Sequence, residues 1–140
     1  MAAAPPSTLV GWMAAIAAAQ PNRPALIEDG EVWTWHRFWT RSREIAQALR
    51  AMDGFAPGRT VALVGANEPE YIAAYFGVLS AGGVVTPLNA MLQGDELVRH
   101  AEFVDVFGTI VGDADDATAE ALATVAPTWS LDALQAARAG

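Results

Sequence analysis

A chain of 140 residues is the length of one domain, and its 53% apolar content is that of a globular protein, above the range of disordered chains. A net charge of −8 argues against nucleic acid or an anionic membrane as partner, since both call for a basic face. The absence of cysteine excludes a disulfide framework and a thiolate metal site. All eight basic residues are arginine, so no Schiff base and no phosphate-binding lysine can come from this chain.

In chain order, Met1–Pro6 reads as a loose tail. The N-terminus lacks the basic start and continuous apolar core of a signal peptide, and no apolar run reaches membrane-spanning length, so the cytoplasm is the expected location. Ser7 is placed to cap a helix from about Thr8 to Gln20, with Leu9, Trp12, Met13 and Ile16 on one face and Pro21 as its stop. Ala25–Ile27 and Glu31–Trp33 then read as a hairpin turned by Asp29-Gly30. Thr34 caps a second helix, Trp35 to about Met52. Phe38, Ser42, Ile45, Leu49 and Met52 form its buried seam, and Arg37, Arg41, Arg43 and Arg50 lie on its flanks.

Thr60–Val64 reads as a strand buried on both faces. Asn67 is placed to cap the next helix, with Glu70 reaching back to it. Tyr71, Ile72, Tyr75, Phe76 and Leu79 give that helix a wide apolar face, and Gly82 or Gly83 ends it. Val84–Thr86 reads as a buried strand parallel to Val61–Val64, closed by Pro87. If Phe76 is fully buried on that sheet, its truncation to alanine costs about 3–5 kcal/mol. A helix starting at Gln93 or Gly94 runs to about Glu102, and Phe107–Val111 is the next strand. Asp113–Asp116 opens an alanine-rich helix to about Val125. Thr128–Ser130 is a last short strand and Leu131–Ala139 a last helix. This alternation predicts an α/β fold, a mostly parallel sheet flanked by helices, in a single domain spanning 1–140.

Three blocks of this sequence resemble the N-terminal subdomain of the adenylate-forming (AMP-binding) superfamily, above all its acyl-CoA synthetases and long-chain fatty acid–CoA ligases. They are PALIEDGEVWTWHRFWTRSREIAQALRAM, then APGRTVALVGANEPEYIAAYFGVLSAGGVVTPLNAMLQGDELVRHAE, and within the latter LSAGGVVTPLNAML, in order across residues 24–102. Three positions depart from the usual pattern. Arg37 stands where an acid commonly follows the threonine cap, Ala90 where proline follows Pro-Leu-Asn, and Phe103-Val104-Asp105-Val106 replaces a polar Asp-Ser-Gly-Ala type of turn.

The resemblance implies a complete enzyme that activates a carboxylic acid with ATP through an acyl-adenylate, then passes the acyl group to a thiol. ATP, magnesium and coenzyme A are thereby implied for the complete enzyme. Its phosphate loop, aromatic-Thr-Glu motif, ribose-binding aspartate and C-terminal lysine normally lie beyond the stretch covered here. No catalytic, cofactor-binding or metal-binding residue carries over, and the chain by itself is expected to be inactive and to bind none of these cofactors. The expected partner is the remainder of such a ligase, or a second copy. The alternative reading is a free-standing interaction module that retains the fold.

The residues themselves offer few sites. The turn Val64-Gly65-Ala66-Asn67 has one glycine and no Walker or dinucleotide pattern, and Glu68 and Glu70 would repel a phosphate there. His36 and His100 lack metal-ligand spacing, and Asp113, Asp115 and Asp116 lack the glycine and closing glutamate of a calcium loop. Trp33, Trp35 and Trp39 cluster at one strand–helix junction, as core or as a surface for a partner. Asn89 is a turn residue or a ligand contact.

Overall fold

The computed structural model describes residues 6–66, 68–89, 91–92, 94–114 and 116–134. The first helix, α1, runs Leu9–Ala19 and is capped by Thr8 rather than Ser7, with the Gly11 amide donating to the Thr8 hydroxyl at 3.0 Å. The hairpin follows as β1 (Pro24–Glu28) and β2 (Glu31–Thr34), antiparallel, with Ile27 opposite Val32. Asp29 and Gly30 both take positive φ, as the turn dipeptide predicted.

The helix α2, Trp35–Arg50, begins as expected: the Arg37 amide donates to Thr34 Oγ1 at 3.1 Å. Without an acid at its third position, the side chain of Arg37 turns instead to Glu31, 3.2 Å away, and lies 4.0 Å over the Trp33 ring. Phe38, Ser42, Ile45 and Leu49 are buried as the spacing predicts. Arg41 is not a flank residue: it is 6% exposed. A face wide enough to pack on both α3 and the sheet takes in the position beside the seam.

Four strands, β3 (Thr60–Val64), β4 (Val84–Pro87), β5 (Gly108–Val111) and β6 (Thr128–Ser130), form an all-parallel sheet in the order β4-β3-β5-β6. Val61–Val64 and Val84–Thr86 are parallel neighbours as predicted, in the register Val61↔Val85 and Ala62↔Thr86. The central strands are buried on both faces. Val61, Leu63 and Ile110 pack with α2 and with α3 (Pro69–Ser80), whereas Ala62, Val64 and Val111 pack with α4 (Gly94–Phe103) and α5 (Asp116–Ala123). The result is a helix–sheet–helix sandwich.

The expectation for β4 changes. It is an edge strand, and Val84 is half exposed, because only β3 lies beside it among the described residues. The face of α3 is also different from its pattern. Ala73, Ala74, Gly77 and Val78 are buried, while Tyr71, Ile72, Tyr75, Phe76 and Leu79 are only partly so. Small residues turn inward because α2 crosses closely there, so the full-burial cost expected for the Phe76 ring does not apply. Phe76 instead meets Phe38 and Tyr75 edge-on, with ring centroids 5.6 and 5.3 Å away.

The cap of α3 sits at Glu68, which makes no side-chain capping bond; Asn67 lies outside the described residues. Gly82, at φ +89, ends the helix. At the departing turn Asp105 takes φ +53, and Val106, 7% exposed, drops into the α4–α5 layer beside Ala101. Two apolar side chains therefore serve where a polar turn is usual. The acidic stretch opens α5 later than expected, at Asp116; of the expected last helix only one turn, 132–134, falls among the described residues, and the rest of it lies outside them.

Candidate functional site

The sheet order locates one crevice by topology. From β3 the chain leaves through α3 toward β4, and from β5 through α5 toward β6, on opposite sides. The carboxyl ends of β3 and β5 are therefore a switch point, where open α/β sheets bind ligands. The space beyond them measures about 270 Å³ and is lined by Glu68, Glu70, Gly112, Ser130, Leu131 and Asp132.

Its floor is tight. The Gly112 amide donates to the Val64 carbonyl at 2.8 Å, and a Cβ on Gly65 would lie 3.1 Å from both Gly112 Cα and the Asp113 nitrogen. Glycine there lets the two loops touch. Ser130 Oγ accepts from the Ala133 amide at 3.2 Å, and the Leu131 carbonyl accepts from Arg41 Nη2 at 2.7 Å. Arg41 is the cation nearest the crevice, and it is consumed from behind: Nε donates to Glu70 at 2.7 Å and Nη1 to Glu44 at 3.3 Å. Glu70 thus answers Arg41; its expected reach back to Asn67 lies outside the described residues.

The crevice is acidic. Partial burial raises the Glu68 carboxyl above the ordinary glutamate value, and the charges of Asp113, Glu28 and Glu70 and a hydrogen bond with Asp113 add to it. The residues present do not fit the phosphates of a nucleotide, which need backbone amides and cations where this site offers carboxylates. Among the described residues no three acidic or histidine side chains converge to hold a metal ion. Because the folded chain holds the Glu68 proton more tightly than the unfolded one, stability falls as pH rises from the ordinary glutamate value through the raised one. Glu68→Gln is expected to flatten that fall. Denaturant midpoints across a pH series check it, and an equally steep fall in the variant would assign the effect elsewhere.

The sequence candidates do not assemble at this crevice. Asn89 is exposed at the end of β4, where its Oδ1 accepts from the Met91 amide at 2.9 Å and its carbonyl from the Leu92 amide at 3.1 Å. That is a side-chain turn leading toward α4. Trp33 is buried and donates from Nε1 to Glu31 at 3.0 Å. Trp35 and Trp39 are half-buried and face different grooves, Trp35 the apolar one between α1, β1, α2 and α3, and Trp39 the polar one between α1 and α2. His36 is exposed in that polar groove with Arg43 and Gln47, and His100 is exposed on α4. Two features escaped the sequence reading: the buried Arg41, and the exposure of Leu9 and Trp12, which share a face of α1 with the buried Met13. The one signal for the second is that α1 contains no charged residue at all, so it has no face that must point to water.

Against known proteins, the model of the AMP-binding enzyme family matches residues 13–138. The chain is 33% identical over 93 residues to long-chain fatty acid transport protein 6 of Mus musculus, covering 66% of this chain and 15% of that protein. It is 36% identical over 91 residues to the long-chain-fatty-acid–CoA ligase of Yersinia pestis, covering 65% of this chain and 16% of that one. O-succinylbenzoate coenzyme A synthetase from Bacillus subtilis, solved with AMP, superposes at a TM-score of 0.79 with 22% identity, over 89% of this chain and 32% of that chain. The fold is accordingly that of the N-terminal subdomain of such enzymes. This chain spans 13–17% of the length of the curated relatives it matches. Among the described residues no helix is long and apolar enough to cross a membrane.

Proposed function

The chain belongs to the AMP-binding enzyme family, and from that premise we propose that it is the N-terminal subdomain, over 1–140, of an ATP-dependent acyl-CoA synthetase-type ligase acting in the cytoplasm. The complete enzyme would activate a carboxylic acid as its acyl-adenylate, with ATP and magnesium, and then form a thioester with coenzyme A. The observation that carries this reading is the family match over 13–138, with relatives that include a fatty acid–CoA ligase.

Within that enzyme this subdomain is a scaffold and not a source of catalytic groups. Its sequence has no lysine to neutralise charge developing on a transferred phosphate. Its topological crevice is lined by carboxylates. Purified chain is therefore expected to give no carboxylate-dependent exchange of pyrophosphate into ATP, tested with fatty and aromatic acids. Exchange above a no-enzyme control would overturn the scaffold role.

A further inference from the structure

The helices α1 and α3 are apolar on all sides. Helix α1 carries no charged residue, and the only one in α3, Glu70, is bound by Arg41. Helices of that kind belong in the interior of a larger protein, because they have no face for water. Here α1 packs on α2 and α3, and α3 on α2 and the sheet, while Leu9 and Trp12 of α1 stay open.

Between α1 and α3 lies a groove of about 250 Å³ lined by Leu9, Trp12, Ile16, Leu26, Ile72 and Phe76. Its rim is the most exposed part: Leu9 and Trp12 are 56% and 51% accessible. Among the described residues the other large exposed apolar side chains are dispersed: Ile27 and Val32 on the hairpin, Val84 on the edge strand β4, Met91 before α4 and Phe103 at its end. Its lining is apolar and carries no charged side chain, the composition of a surface that packs on protein rather than one that faces water.

The occupant follows from length. In the Bacillus synthetase the matched fold is 32% of the chain, so two-thirds of that protein lies outside the matched region and is available to cover its open faces. A second copy is the weaker fit, since each copy brings a net charge of −8 to the encounter. We infer that the α1–α3 groove is the seat for the remainder of the adenylate-forming enzyme, which would present an apolar, weakly charged surface to Leu9 and Trp12. The inference rests on the ligase-subdomain reading and adds to it the contact face.

The test is co-expression of the tagged chain with the Yersinia pestis ligase lacking its matching segment, followed by co-purification. Leu9→Glu and Trp12→Glu place a carboxylate in the first turn of α1, where the helix dipole favours it, so the helix itself is not penalised. Circular dichroism verifies that each variant is folded. Either variant is expected to lower recovery of the remainder at least tenfold, while Phe103→Glu leaves it unchanged. Equal recovery with all three would overturn the face and leave the subdomain reading standing. No recovery with the unsubstituted chain would overturn that reading itself. A concentration-dependent dimer lost in the two α1 variants, with no remainder recovered, would assign the groove to a second copy and overturn the proposal.

Discussion

Arg41→Ala is expected to cost about 3 kcal/mol of folding stability, the lower end of the range for breaking a buried ion pair. The guanidinium joins α2 to Glu70 at the start of α3, to Glu44 on its own helix, and to the Leu131 carbonyl after β6. Its removal leaves two carboxylates facing each other's field and the Leu131 carbonyl with the longer bond from the Leu134 amide, 3.2 Å. Glu70 is about one-third exposed, with a side-chain accessibility of 35%, so water takes up part of the loss and the upper end of the range is not reached. Arg41→Lys should recover only part, because an ammonium cannot hold the three diverging acceptors in the plane that the guanidinium fills. Denaturant melts at neutral pH measure both. A loss below about 1 kcal/mol for Arg41→Ala would show that the carboxylates simply turn to solvent.

The second large effect lies where α2 crosses α3. A Cβ on Gly77 would stand 2.7 Å from Ile45 Cγ2 and 3.0 Å from the Ser42 carbonyl. Ile45 is fully buried, and Ser42 Oγ beside it is buried with no hydrogen-bond partner. In an open helix, glycine to alanine stabilises by about 1 kcal/mol; here overpacking reverses the sign, by about 1–3 kcal/mol. Ile45→Ala alone is expected to cost about 2–5 kcal/mol through the cavity it opens. The two changes are coupled. With Ile45→Ala already made, Gly77→Ala should cost less than it does alone, since the Cγ2 that the new Cβ would meet is gone. Additive losses in melts of the single and double variants would mean that the helices move apart instead.

Much of this protein was readable from one sequence because its local signals agree with its fold. Thr34 caps α2, Asp29-Gly30 turns the hairpin, and the β-branched runs at Thr60–Val64 and Gly108–Val111 form central strands. Each of those outcomes depends on neighbours a few residues away, which periodicity and turn chemistry report directly. The family resemblance over residues 24–102 came from the same order of blocks, and the match over 13–138 contains it.

The remainder was decided by contacts between distant residues. Strand order placed Val84 at an edge and made the switch point an acidic crevice. Arg41 went inward because Glu70, 29 residues on, and the Leu131 carbonyl, 90 residues on, meet it there. The large side chains of α3 were turned outward by the close crossing of α2, which only glycine and alanine admit. Leu9 and Trp12 illustrate the same limit from the other side. Helical spacing says which residues share a face, but whether this chain itself covers that face is a property of the assembled layers alone.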